Sequence, residues 1–130
     1  MPYADTIRKA GINEASIVTW REAKFYGSSG EDSAVYKGYL LMTEDRLIFV
    51  SRKGLLKSVR IRYDMDVSNI TSVSKIPLTN RFIIHANTAE KDSGFIKKML
   101  YSKTAQIHIE DGKSFVEEMA KLNPSIKMKC

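Results

Sequence analysis

The sequence predicts a mainly β domain closed by one C-terminal α-helix. Three observations carry that expectation. Short runs of β-branched and aromatic residues recur along the chain, parted by turn-forming residues at the spacing of a sandwich or barrel. Within Ser58 to Met65 the residues alternate apolar and polar, with Val59, Ile61, Tyr63 and Met65 on one side and Ser58, Arg60, Arg62 and Asp64 on the other. The apolar period then lengthens near the C-terminus, where Phe115, Val116, Met119 and Leu122 fall on one helix face.

The elements follow in order. Asp5 to Ala10 reads as a short helix with Asp5 as N-cap and Gly11 as its stop. Ser16 to Tyr26 is a first strand and Gly27 to Asp32 a loop. Val35 to Met42 and Arg46 to Lys53 form a hairpin about the polar turn Thr43-Glu44-Asp45. Ser58 to Met65, Val67 to Ile76, Arg81 to Asn87 and Thr104 to Glu110 complete a set of about seven strands. Thr88 to Lys103 is a long connection. Ser114 and Glu117 match a capping box for the final helix, which Asn123-Pro124 stops. An isolated helix after an all-β run must bury its apolar face, and the open end of a small barrel is the natural place.

Composition supports one folded domain spanning 1–130, with a core at about 14–123, a short N-terminal helix at 5–10 and a flexible tail at 124–130. The chain has 130 residues, 43% of them hydrophobic and 28% charged, which is globular rather than disordered. Its one cysteine, Cys130, has no intrachain partner, so a reducing, cytoplasmic setting is expected, with or without attachment to a membrane face. No apolar run approaches the ~20 residues of a membrane-spanning helix. The formal net charge of +6 permits an anionic partner: phospholipid, acidic protein or nucleic acid.

The segment Tyr36-Lys37-Gly38-Tyr39-Leu40-Leu41-Met42-Thr43-Glu44-Asp45-Arg46-Leu47-Ile48-Phe49-Val50 resembles the pleckstrin-homology-like superfamily, in particular its GRAM, bacterial-type and GLUE branches. Asp66 to Val73 resembles the segment that follows in those domains. The resemblance implies a seven-stranded, strongly bent antiparallel barrel capped by the C-terminal helix. It also implies a non-enzymatic module that binds membranes or proteins. Gly38 in mid-strand suits a barrel corner where backbones approach closely, and Arg46 suits a role in positioning the hairpin.

Among candidate sites the clearest is basic. Arg52, Lys53, Lys57, Arg60 and Arg62 place five cations within eleven residues, with no acid among them. Such a cluster suits an anionic lipid surface or an acidic partner. Leu55 and Leu56 lie at the same tip, and an apolar tip ringed by cations suits membrane contact. The competing reading is a solvated basic face with both leucines folded onto the core. In the long connection, Phe95, Lys97 and Lys98 belong to an amphipathic stretch that would contact a membrane or partner, or cover a barrel edge. Lys24 and Lys37 are also noted. However, Gly38 and Tyr39 follow where a lipid-binding pleckstrin-homology domain would carry another cation, and Glu31 and Asp32 give that rim acid character. Any headgroup site is therefore expected on the third-to-fourth-strand hairpin instead.

Catalysis and cofactors find no support. His85 and His108 lie on different strands, and no metal-ligand spacing or nucleophile motif occurs. Nucleic acid is disfavoured, because the tyrosines alternate with core positions rather than forming an exposed row. The expected function is a binding module for anionic phospholipid and/or a protein. The alternatives are a peptide, ubiquitin-like or trafficking partner bound without lipid, and weak nucleic-acid binding.

Overall fold

Alternation of side chains between the two faces of each strand builds the sheet. In Thr104–Ile109 the residues Ala105, Ile107 and Ile109 are fully buried, while Thr104, Gln106 and His108 between them are partly exposed. The structure is a computed structural model that describes residues 2–26, 35–53, 58–86 and 104–129. Leu55, Leu56 and Lys57 of the expected hairpin tip, and Phe95, Lys97 and Lys98 with the amphipathic stretch around them, lie outside the described residues.

The chain opens with helix α1 (Pro2–Lys9) and a single 3₁₀ turn, Glu14–Ser16. Strands β1 (Ile17–Phe25), β2 (Tyr36–Thr43), β3 (Arg46–Lys53) and β4 (Ser58–Asp66) follow. Then come β5 (Ile70–Lys75), β6 (Arg81–Ala86), β7 (Thr104–Ile109), helix α2 (Gly112–Leu122) and β8 (Lys127–Lys129). Among the described residues these strands form one sheet in the order β4-β3-β2-β1-β7-β6-β5-β8. Every pairing is antiparallel except β8 on β5. The sheet bends around a core of Leu40, Phe49, Tyr63, Phe82, Ile107 and their neighbours, and α2 plugs it with Phe115, Val116 and Met119. A smaller apolar layer lies on the sheet's outer face, where Ile7 of α1 is fully buried with Leu41, Ile48 and Val50. Burying one such aliphatic side chain contributes about 1.5–3 kcal/mol, which is what holds so short a helix in place.

Gly38 bears out its expected role. A Cβ there would come 1.9 Å from the Val50 carbonyl oxygen, so only glycine lets β2 and β3 approach at this point. The β2–β3 turn is tied by Thr43, whose hydroxyl accepts the Arg46 backbone N–H at 3.0 Å. Arg46 then spans to β4, donating to Asp64 at 2.7 Å and Asp66 at 2.6 Å. It positions the hairpin, as expected.

Several expectations require correction. The N-terminal helix starts at Pro2, where a missing N–H costs nothing, so Asp5 lies inside it and pairs with Arg8 at 2.7 Å. The strand expected from Val67 begins at Ile70, after a 3₁₀ turn. In β4 the apolar positions do not share one face: Phe49 opposes Tyr63 while Val50 opposes Ile61, a bulge at Arg62. Consecutive residues Phe49 and Val50 face opposite sides, so Tyr63 and Met65 enter the core while Val59 and Ile61 join the outer layer.

The capping box is also not formed. Asp111 takes a left-handed conformation, φ 50, and starts α2 at Gly112, so Ser114 lies within the first turn and donates to Asp111. Gly112 is required there, because a Cβ would meet the Phe82 ring at 2.3 Å. Leu122, assigned to the buried face, is 38% exposed at the helix end. The tail is not free: Ile126 is buried, Lys127–Lys129 pairs with β5, and the Asn123 side-chain amide donates to the Val67 and Ile70 carbonyls at 2.8 and 3.3 Å.

At the β5–β6 turn, Thr79 N–H donates to the Ile76 carbonyl at 3.2 Å. Leu78 forms its tip in the left-handed region, φ 65, and is fully exposed. That conformation costs an L-residue with a Cβ roughly 1–2 kcal/mol.

Candidate functional site

The β3–β4 hairpin carries the basic cluster on its final rungs. Its register pairs Ser51 with Arg60, Arg52 with Val59 and Lys53 with Ser58. At the other end of the same two strands Arg46 pairs with Asp66 and Ile48 with Asp64. On β3 seven residues, about 24 Å, separate Arg46 at the acidic end from Lys53 at the cationic end, while on β4 the charge changes sign between Arg62 and Asp64, two residues apart.

The cations there are not equivalent. Arg60 is exposed, and among the described residues its side chain makes no ion pair. Arg62, the bulged residue, turns back across the sheet. Its guanidinium lies 4.0 Å from the Tyr36 ring centroid, and its Nε donates to Ser51 Oγ at 3.1 Å. Arg62 is therefore a braced cation, its guanidinium over an aromatic ring while its Nε donates to Ser51, a combination for which the planar guanidinium is suited.

A second set of basic residues is assembled by strand register around Lys24 and Lys37, which the sequence reading discounts as a headgroup site for want of a further cation and because of the acidic Glu31 and Asp32. Lys24 of β1 lies directly opposite Lys37 of β2 and directly opposite His108 of β7. His108 in turn lies opposite Arg81 of β6. The neighbours of Lys24, Ala23 and Phe25, point into the core, as do Ile107 and Ile109 beside His108 and Phe82 beside Arg81. Lys37, Lys24, His108 and Arg81 therefore form a row across the outer face of four strands. A cleft of about 330 Å³ is lined by Lys24, Lys37, His108, Tyr39, Glu22 and Glu110, with Ala23 and Gly38 at its base. Glu110 takes the His108 ring nitrogen at 3.2 Å, and the Arg81 guanidinium stacks 3.8 Å from the Tyr26 centroid. No local spacing signals this row, since its members come from strands up to 84 residues apart in the chain (Lys24 to His108).

The histidines do not form a metal site. Although β6 and β7 pair, His85 stands opposite Thr104, with Nδ1 3.4 Å from its hydroxyl, while His108 stands opposite Arg81. Among the described residues no three His, Cys, Asp or Glu side chains converge, and no helix is long and apolar enough to cross a membrane.

No protein-family model matches the sequence, and no curated protein matches it. Solved structures do match. The C-terminal domain of an unknown protein from Leishmania infantum aligns with 82% of this chain and 82% of its own, at 13% identity and TM-score 0.54. The Slm1 PH domain aligns with 82% of this chain and 97% of its own, at 16% identity and TM-score 0.51. The chain has the pleckstrin-homology-like fold. The linker-DH/PH portion of p115-RhoGEF agrees, at 10% identity and TM-score 0.55, with 86% of this chain matching 30% of that one. Identities this low establish the pleckstrin-homology-like fold and not one of its branches.

Proposed function

We propose that this domain is a non-enzymatic binding module that docks on anionic phospholipid surfaces through the cationic end of the β3–β4 hairpin. The reading rests on one observation: the charge along β3 and β4 is segregated, with Asp64 and Asp66 held by Arg46 at one end and Arg52, Lys53, Arg60 and Arg62 at the other. A planar anionic surface approached by that end meets cations first. Lys57, Leu55 and Leu56 join the same tip by sequence, as the segment between β3 and β4.

Each cation near such a surface contributes about 1 kcal/mol. Arg60→Glu removes one and adds an anion, so it should weaken vesicle binding by about 2 kcal/mol, or roughly 30-fold. Sedimentation with vesicles of graded phosphatidylserine content, at two salt concentrations, reads this directly. Binding indifferent to both salt and Arg60→Glu would overturn the proposal.

A protein partner is the second reading. It is favoured by a surface groove of about 720 Å³ lined by Ile12, Ile17, Ile48 and the half-exposed Val18 beside Glu44 and Asp45. A captured protein retained by the Arg60→Glu variant would favour it.

A further inference from the structure

We infer that the groove between the 3₁₀ turn and the β2–β3 turn docks a cationic, aliphatic segment of another protein, in which branched apolar side chains are flanked by lysine or arginine. The inference rests on the protein-partner reading above and adds the chemistry of that partner.

The floor of the groove is apolar. Ile12, Ile17 and Ile48 line it and belong to the outer layer around Ile7. Val18 lines it as well, yet remains 51% exposed. Strand register explains that exposure. Ile17 pairs with Thr43 and Thr19 with Met42, so β1 has one residue more than β2 at this point and Val18 is the bulged one. A bulge leaves its extra residue outside the ladder and re-aims the side chain. A β-branched apolar side chain set at the wall of a groove of about 720 Å³ is covered only when another molecule enters the groove. That volume lies within the ~300–1,000 Å³ typical of clefts that hold ligands.

The rim selects the partner. Glu44 and Asp45 of the β2–β3 turn are exposed and line the groove beside Arg46. The Arg46 guanidinium already donates to Asp64 and Asp66 on β4. Around this turn four carboxylates therefore meet one guanidinium. Phospholipid headgroups and nucleic acid are anionic and are repelled by such a rim, whereas a cationic peptide is attracted. The +6 net charge of the chain does not cancel that attraction. The cationic end lies about 24 Å away along β3, roughly three Debye lengths at physiological salt.

Both walls are fixed by internal hydrogen bonds. The Thr43 hydroxyl donates to the Asp45 carboxylate at 3.0 Å, and the Asp45 carbonyl accepts the Val67 N–H at 2.8 Å. On the other wall the Asn13 side chain accepts the Ala15 N–H at 3.1 Å, and the Asn13 carbonyl accepts the Ser16 hydroxyl at 2.6 Å. A groove built in advance loses little entropy on docking, which suits a short linear segment.

The test is selection of a random dodecapeptide phage library on the full chain. The most enriched peptide is then synthesised with a fluorophore and titrated by anisotropy. Enriched sequences should carry aliphatic residues flanked by lysine or arginine. Val18→Ala should weaken the synthetic peptide roughly tenfold, since it removes the apolar surface that docking covers. Glu44→Lys should weaken it several-fold and flatten its salt dependence. Both positions are exposed, so neither change touches the core. Arg60→Glu, at the other end of the sheet, should leave the peptide's affinity unchanged. A cationic peptide indifferent to both groove variants would overturn the site. A neutral or acidic consensus whose binding is lost in Val18→Ala would overturn the partner's chemistry and leave the protein-partner reading standing. No enrichment at all would overturn both. Self-association of the wild-type chain that Glu44→Lys abolishes would give the groove to a second copy and overturn a separate partner.

Discussion

Tyr63 offers a quantitative test of the core. Its ring is fully buried 6.0 Å from Phe25, and among the described residues its hydroxyl has no hydrogen-bond partner. Leaving a buried hydroxyl unpaired costs about 1–3 kcal/mol, so Tyr63→Phe should stabilise the domain by about 1 kcal/mol or more. For a domain of this size that raises Tm by roughly 3–5 °C.

The pH dependence of this variant has a definite sign. Burial, and then the charge of Asp64, push the Tyr63 phenol above the ordinary tyrosine range. Below pH ~10 both the folded and unfolded chains keep that proton, so the contribution to stability is constant. Above it the unfolded chain loses the proton first, and stability falls by about 1.4 kcal/mol per pH unit until the folded phenol ionises too. The phenylalanine variant lacks this slope. Urea denaturation of both proteins at pH 7, 10 and 11 should show the gap between them widening with pH. A variant less stable than wild type at pH 7, or parallel profiles up to pH 11, would refute the reasoning.

Two further predictions concern backbone contacts. Gly38→Ala should destabilise by about 3 kcal/mol or more, because the new methyl meets the Val50 carbonyl rather than a yielding side chain; a urea midpoint consistent with a loss below about 1 kcal/mol would contradict it. Asn123→Ala removes two donated bonds that join the end of α2 to the β4–β5 turn, a loss of about 1–2 kcal/mol. Asn123→Asp should cost more at neutral pH, since it sets carboxylate oxygens against two carbonyls. That excess should fade in thermal melts below pH ~4, as the carboxyl is protonated.

What could be read from the sequence was local. The β2–β3 hairpin declares itself because Thr43, Asp45 and Arg46 bond to one another within four residues. Gly38 is legible for a similar reason, since an unbranched position inside a run such as Tyr36–Thr43 asks for a close approach. The break in β4 is not legible. Val59, Ile61, Tyr63 and Met65 alternate without fault, and only the pairing of Phe49 and Val50 on the neighbouring strand decides which of them turn inward. The lysine row depends in the same way on register between strands brought together from across the chain. The start of α2 at Gly112 was hidden because Asp111-Gly112 reads as an ordinary turn, and the Phe82 ring that demands glycine arrives from β6.

Among the described residues the strand order ends at β4 on one side and β8 on the other, so these two strands bear on whether another molecule can add to the sheet. On one side, Lys127 to Lys129 caps β5 with a strand only three residues long, whose two lysines flank a single methionine. On the other, β4 alternates Arg60, Arg62, Asp64 and Asp66 along its length. Short length at one border and dense charge at the other deny a neighbouring copy any flat apolar strand to extend. Both borders are thereby guarded against edge-to-edge strand pairing between copies of the domain.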